Sequence, residues 1–310
     1  QKFIVPRFKL PVIKDNTLYW FFISILIILI PLSTIGKETI SSASGGYSID
    51  TDGSIWSEYC IIFIIISSLF ASSKTKIYIL ICLSLIFVII PLLYGRRLAS
   101  IMVILTIFNL YFSNIFSTKK ILLFFIISFV LLRVFDSIRI YGFSFDINVI
   151  NILLSVDKDT QALSNGPGGV LVCSVTYLSL IEAGVFDLWF SFKSFIGMFT
   201  GVFTRASSNI AETYINTQAL KYDDIPGNGG FPGIYFYLWG RYFGVIIGGL
   251  FLNYLIRKSQ KSNIFAVYCL FLLSVFPRWY TYNLHFLVKM GFWLMLIVFA
   301  TGYFSKQRKV

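Results

Sequence analysis

The sequence predicts an all-α, polytopic membrane protein, and three observations lead to this fold class. Apolar runs of about 20 residues recur along the chain, which is the length that a helix needs to cross a bilayer. Hydrophobic residues make up 57% of the 310 residues and charged residues only 13%, which is about half the charged share of a soluble domain. The 33 Phe and 18 Tyr residues suit lipid-facing walls and the aromatic belts at the membrane surfaces.

The apolar runs predict eight membrane spans in one integral membrane domain, residues 1–310. The spans cover residues 18–35, 56–71, 77–94, 98–113, 121–135, 234–256, 263–277 and 284–303. A large outer loop region, 136–233, separates the fifth span from the sixth. Within it, the apolar runs 168–181 and 188–203 are short for a crossing and are typical of re-entrant or amphipathic helices. If both runs crossed the bilayer, the number of spans would be ten.

The distribution of basic residues predicts which side of the membrane each loop faces. With the N-terminus inside, the inner segments hold 14 of the 26 Lys and Arg residues but only one acid, Asp15. These inner segments are residues 1–17, 72–76, 114–120, 257–262 and 304–310. Because cytoplasmic loops of membrane proteins are enriched in Lys and Arg, both termini are expected in the cytoplasm. The same bias explains the net charge of +12.

Two classes of binding site are excluded by what the chain lacks. No basic run is interleaved with aromatic residues as a nucleic-acid reader requires, so no nucleic-acid partner is expected. The four cysteines form no CxxC pair, and His285 is the only histidine, so neither a metal nor another cofactor is expected. The thiols are expected to be packed and inert.

Arginines on the outer side are the first candidates for chemistry. Arg96 and Arg97 lie in the turn "PLLYGRRLAS" between the third and fourth spans, Arg205 follows the second apolar run of the outer loop, and Arg278 follows Pro277 at the end of a span. The planar guanidinium group matches phosphate oxygens in pairs, so these four arginines predict a convergent anion site. The alternative is that they extend to lipid headgroups or pair with outer acids.

A Gly-rich segment and several outer acids complete the candidate site. In "DDIPGNGGFPGIYFYLWGRYFG" (223–244), six Gly or Pro residues precede an aromatic span that contains Arg241. Exposed N–H groups at such a helix start attract anions, although an ordinary turn with an aromatic belt would have the same pattern. Among the acids, Glu212, Asp223 and Asp224 are the first candidates for a general base because they are nearest to this segment. His285 is read as a packed or interfacial residue.

Together these motifs resemble the O-antigen polymerase family, the Wzy-type polymerases of oligosaccharide repeat units. The matching features are a Gly-Arg motif before a span ("YGRRLASIMVILTIFNLYF"), a large outer loop with Arg205 after an apolar stretch, a Gly-rich start to an aromatic span ("GNGGFPGIYFYLWGRYFGVIIGGLFLNYLIRK"), and the late Arg278. The resemblance covers roughly residues 80–305.

The resemblance implies a GT-C-like glycosyltransferase in the bacterial inner membrane, with its active site facing the periplasm. Its substrates would be undecaprenyl-diphosphate-linked oligosaccharides, and membrane lipids and a chain-length regulator protein would be its partners. Fixed guanidinium groups would stabilise the charge that develops on the leaving diphosphate. The residues expected to act in catalysis are Arg97, Arg205, Arg278 and Glu212. The residues expected to bind diphosphate or sugar are Arg96, Arg97, Arg241, Asp223, Asp224 and Tyr280.

Two alternative functions stay open at this stage. An O-antigen ligase would use the same donor, but that family carries a histidine in its outer loop, and His285 lies too near a span. A flippase for lipid-linked oligosaccharides, or another transporter, would show two related halves and charged residues within many spans. Neither feature is apparent in this sequence.

Overall fold

The fold is all-α throughout the part of the chain that the structure, a computed structural model, describes. The described residues are 10–34, 56–93, 97–113, 167–203, 219, 230–281 and 284–304. Every regular element within them is a helix, so the all-α part of the predicted fold class is confirmed, whereas its GT-C-like character stays a prediction. The predicted span 121–135 lies outside these residues. The chain divides into two compact units, residues 1–156 with 309–310 and residues 157–308, and the expected single membrane domain stays a prediction.

The first unit contains four helices in its described part. They are α1 (Asn16–Thr34), α2 (Trp56–Phe70), α3 (Lys74–Leu93) and α4 (Arg97–Ile107), and α4 continues into a π-helical turn, Phe108–Phe112. Each of the first four predicted spans coincides with one of these helices. The apolar runs therefore located the helices of this unit correctly, within about four residues of their ends.

Helix α2 forms the centre of the first unit. Most of its side chains are buried, including Ile61, Ile64 and Ile65. The flanking helices α1 and α3 are joined near their N-termini, where the Tyr19 hydroxyl donates a hydrogen bond of 2.7 Å to the carbonyl oxygen of Lys76. The buried Lys76 Nζ in turn donates to Asn16 Oδ1 at 2.5 Å. These polar contacts fix the register of α1 against α3.

The second unit contains six described helices. They are α5 (Pro167–Glu182), α6 (Leu188–Thr200), α7 (Pro232–Ser259), α8 (Asn263–Ser274), α9 (Phe276–Thr281) and α10 (His285–Ala300). The two apolar runs of the outer loop form helices α5 and α6, as expected. The predicted span 263–277 differs from the structure, because the helix stops at Val275 and restarts as α9.

Helix α7 bends back on itself at Gly240 and Arg241. Both residues have non-helical dihedral angles, and Phe236 packs against Gly244 and Gly248. On a straight helix those two glycines would be about 12 and 18 Å away from Phe236. The predicted continuous span 234–256 is therefore interrupted. Residues 242–259 alone, about 27 Å long, form the long arm of the bent helix.

Helix α6 turns its large side chains outward. Ser191, Ser194 and Gly197 are buried, whereas its exposed side chains include Trp189, Phe192, Phe195, Ile196 and Phe199. In water such a helix would bury its aromatic face, but in lipid small residues favour close helix contacts and apolar side chains face the acyl chains. The exposed face of α6 is therefore suited to contact with lipid.

Three described helices are long and apolar enough to cross a membrane. They are Asn16–Thr34, Lys74–Leu92 and Pro232–Ser259, and the last of these includes the bend. Five further apolar helices have 10–17 residues. These helices support a membrane location, whereas a total of eight or ten spans stays a prediction.

A candidate anion site at two broken helices

The described end of the Gly-rich segment, residues 230–233, is held against α5 and α9. The Phe231 backbone N–H donates to Ser174 Oγ at 3.0 Å. A Cβ added at Gly230 would come within 3.1 Å of the Tyr177 ring, so a glycine is what allows this close approach. The Phe231 ring meets the Tyr280 ring edge to face, with centroids 5.7 Å apart. Two motifs that are far apart in the sequence, the Gly-rich segment and the late arginine helix, therefore lie together.

Arg278 lies on α9, directly after the break that ends α8. The break leaves carbonyl groups at the end of α8 without helical partners, and Trp279 Nε1 donates to one of them, Leu272 O, at 2.8 Å. Arg278 itself is partly buried, and its Nε atom is enclosed by protein. Tyr280 is stacked on Phe276 with ring centroids 4.6 Å apart. Arg278 is thus carried by a short helix whose aromatic side chains pack against one another and against the end of α8.

Arg241 lies at the bend of α7 and reaches the C-terminal end of α5. Its Nη1 and Nη2 donate to the Ile181 carbonyl oxygen at 3.4 and 3.3 Å, and Nη1 is 3.5 Å from Glu182 Oε1. The guanidinium carbon also lies over the Tyr237 ring, 5.5 Å from its centroid. The Tyr237 hydroxyl donates a short hydrogen bond to Glu182 Oε1. We call Glu182, Tyr237 and Arg241 the bend cluster.

The backbone of Arg241 is strained. Its φ of 52° with ψ of −141° lies in a region that glycine favours and that side chains rarely adopt. The adjacent Gly240 has a φ of −158°, which other residues adopt as well. The chain therefore has an arginine where the backbone favours glycine. Strained residues of this kind concentrate at functional sites.

Few of the site residues predicted from the sequence can be compared directly. Arg241, Arg278 and Tyr280 belong to the second unit, whereas Arg97 begins α4 of the first unit, where only its backbone is described. The backbone of His285 begins α10. The remaining predicted site residues lie outside the described part of the chain, namely Arg96, Arg205, Glu212, Asp223 and Asp224. Convergence of all the arginines therefore stays a prediction.

Two residues of the bend cluster were not singled out from the sequence. Glu182 follows the apolar run 168–181 directly, and that position at the end of an apolar run was the available signal. Tyr237 looked like any member of an aromatic belt. Their importance depends on the bend, which brings residue 237 of α7 and residue 182 of α5 into hydrogen-bond contact.

No group of three or more His, Cys, Asp or Glu side chains suited to a metal ion occurs among the described residues. Three of the cysteines, Cys60, Cys173 and Cys269, are buried as expected for packed thiols, but Cys82 is exposed on α3. Cys82 lies on a helix that is long and apolar enough to cross a membrane.

Comparison with known proteins finds no relative of this chain. No protein-family model matches the chain, and neither a curated protein nor a solved structure is significantly similar to it.

Proposed function

We propose that this protein is a periplasmic-face glycosyltransferase of the bacterial inner membrane that polymerises undecaprenyl-diphosphate-linked oligosaccharide repeat units into O-antigen or a related surface polysaccharide. The growing chain moves from its lipid diphosphate to a hydroxyl group of the next repeat unit. A C–O bond forms at the acceptor oxygen, the bond from the sugar to the diphosphate breaks, and the acceptor proton passes to a base. Undecaprenyl diphosphate leaves.

The contact between Phe231 and Tyr280 is the observation that carries this proposal. It joins the Gly-rich segment to the helix that bears Arg278, two of the motifs on which the family resemblance depends. The proposed reaction places a diphosphate beside that helix, because guanidinium groups stabilise the charge that develops as the diphosphate leaves.

The breaks at Arg241 and Val275 also support a site of this kind. Irregular backbone at membrane depth is tolerated only where it is enclosed by protein or lines a hydrated cavity. A lipid-linked sugar needs such a cavity, because its diphosphate is polar and its polyprenyl chain stays in the bilayer.

Substitution of Arg278 tests the proposed function. In proteoliposomes that contain undecaprenyl-diphosphate-linked repeat units, we expect Arg278→Ala and Arg97→Ala to reduce polymer formation by about 100-fold or more, the magnitude typical for the loss of one charge-stabilising donor. Arg257→Ala is the matched control. Arg257 lies in the last turn of α7, within the basic segment 257–262 that is predicted to face the cytoplasm and not the proposed site. Full-length polymer from a folded and inserted Arg278→Ala variant would refute the proposal.

The same experiment separates the two alternatives. A ligase would transfer preformed chains to a lipid A core without extending them. A flippase would move the lipid-linked sugar across the bilayer without forming new bonds. Polymer growth in the absence of an ion gradient is the result that we expect.

A further inference from the structure

The contacts of Arg241 are long and leave part of its guanidinium accessible. Within the described part of the chain, its hydrogen bonds go to one carbonyl oxygen at 3.3 and 3.4 Å, and its nearest carboxylate oxygen is 3.5 Å away. Charge-assisted hydrogen bonds are usually 2.7–2.9 Å long. The side chains of Arg241 and Glu182 are 47% and 58% exposed. A loosely held, half-exposed ion pair of this kind contributes little stability, about 0–1 kcal/mol.

Glu182 occupies an unfavourable place for a carboxylate. It is the last residue of α5, where the helix dipole is negative and favours cations. Arg241 offsets this cost, and Tyr237 holds the carboxylate by a hydrogen bond from the adjacent helix. If Arg241 turned to another anion, Glu182 would stay attached to Tyr237 beside the negative end of α5. The carboxylate oxygens that Arg241 had faced would then be open to a hydrogen bond from another donor.

From these contacts we propose that the Glu182 carboxylate is a built-in competitor for a phosphate group at Arg241, and that phosphate binding releases Glu182 to accept a proton from the incoming hydroxyl. The inference rests on the proposed function and assigns its base. In the transfer step, the acceptor oxygen bonds to the sugar carbon as its proton moves to Glu182. The bonding pair of the broken C–O bond leaves with the diphosphate. Arg241 offsets the charge that develops there.

One substitution, Glu182→Gln, should have opposite effects on diphosphate binding and on glycosyl transfer. Glu182→Gln removes the competing charge but keeps the shape of the side chain. Its affinity for a diphosphate should therefore rise about two- to fivefold, the range expected from losing a half-exposed ion pair. Glycosyl transfer should fall about 100-fold or more, because the base is lost. A residue with a merely structural role would not increase one quantity while decreasing the other.

The binding experiment uses the full-length protein in detergent and titrates it with geranyl diphosphate, a short polyprenyl diphosphate, and with inorganic pyrophosphate. Besides the tighter binding to Glu182→Gln, we expect Arg241→Gln to weaken binding about tenfold or more, as for the loss of hydrogen bonds to a charged group. Glu58→Gln, the same change at the start of α2, is the matched control and should leave the affinity unchanged. Tighter binding of geranyl diphosphate than of pyrophosphate identifies a lipid-linked ligand, and equal binding identifies a free anion at the same site.

Three results would each overturn one part of what is proposed. Unchanged or weaker binding to Glu182→Gln, measured by calorimetry on protein with a wild-type melting profile, would overturn the exchange between the two anions. Normal transfer by this variant would overturn the role of Glu182 as base. If the binding pattern holds but the wild-type protein forms no polymer, the proposed function fails while the exchange at Arg241 stands.

Discussion

Arg241 combines a backbone conformation that disfavours any side chain with a guanidinium that ties α7 to the end of α5. The conformation is costly, about 1–3 kcal/mol for a residue other than glycine. The ion pair returns at most about 1 kcal/mol, because both partners are half exposed. Stability alone therefore does not account for an arginine here, and the proposed binding of an anion at the bend would require such a cation.

Replacement of Arg241 by glycine and by alanine should reverse the usual order of stability of these two residues in a helix. Within a regular helix, alanine is more stable than glycine by about 1 kcal/mol. At position 241 the positive φ penalises any Cβ, so we expect Arg241→Gly to be more stable than Arg241→Ala by about 1 kcal/mol. Thermal unfolding in detergent measures the difference.

The control for this order of stability is a pair of substitutions on the same helix. Asn253 is exposed in the regular part of α7, so Asn253→Ala should be more stable than Asn253→Gly. If Arg241→Ala were also more stable than Arg241→Gly, the strained conformation assigned to this residue would be incorrect.

At the scale of single elements, the bend of α7 depends on two glycines. A Cβ at Gly244 would overlap the backbone carbonyl oxygen of Phe236, and a Cβ at Gly248 would come within 2.6 Å of the Phe236 ring. Rigid backbone cannot give way as a flexible side chain can. Gly244 therefore permits the two arms of α7 to pack against each other.

The prediction at this scale compares two glycines of α7. Gly244→Ala should destabilise the protein by about 1–3 kcal/mol, as other overpacking substitutions do. A Cβ at Gly249 would meet nothing within 4 Å, so Gly249→Ala should be neutral or slightly stabilising. Denaturant unfolding followed by Trp fluorescence gives both values. Equal stability of the two variants would show that the arms of α7 do not pack as described.

The sequence predicted the helices better than their interruptions. Long apolar runs sufficed for α1 to α4 and for α10, because burial in lipid needs little beyond hydrophobicity and length. The bend at Arg241 was missed because the apolar pattern continues through it. Its guanidinium contacts residues about 60 positions earlier in the chain, and no local pattern encodes such a contact.

The candidate site was predictable only in part, for a related reason. A guanidinium at a membrane edge is conspicuous in an apolar sequence, so Arg278 and Arg241 stood out. Glu182 did not, since an acid after an apolar run is usually a solvated loop charge. Its contacts with Tyr237 and Arg241 become visible only when α5 and the bend of α7 are placed together.

At the scale of the whole molecule, the proposed function requires a polyprenyl diphosphate to bind beside α9, the helix of the second unit that carries Arg278. The guanidinium group of Arg278 would stabilise the charge that develops on the leaving diphosphate. Arg97 belongs to the first unit, and its part in the site stays a prediction from the sequence.

Photo-crosslinking tests this claim most directly. The probe is an undecaprenyl diphosphate that carries a diazirine beside the diphosphate, and mass spectrometry locates its adducts on the wild-type protein in nanodiscs. We expect adducts in peptides that contain Arg278, and we expect excess unlabelled undecaprenyl diphosphate to abolish them. Adducts that occur only in other parts of the chain, or adducts that the unlabelled lipid does not displace, would contradict the claim.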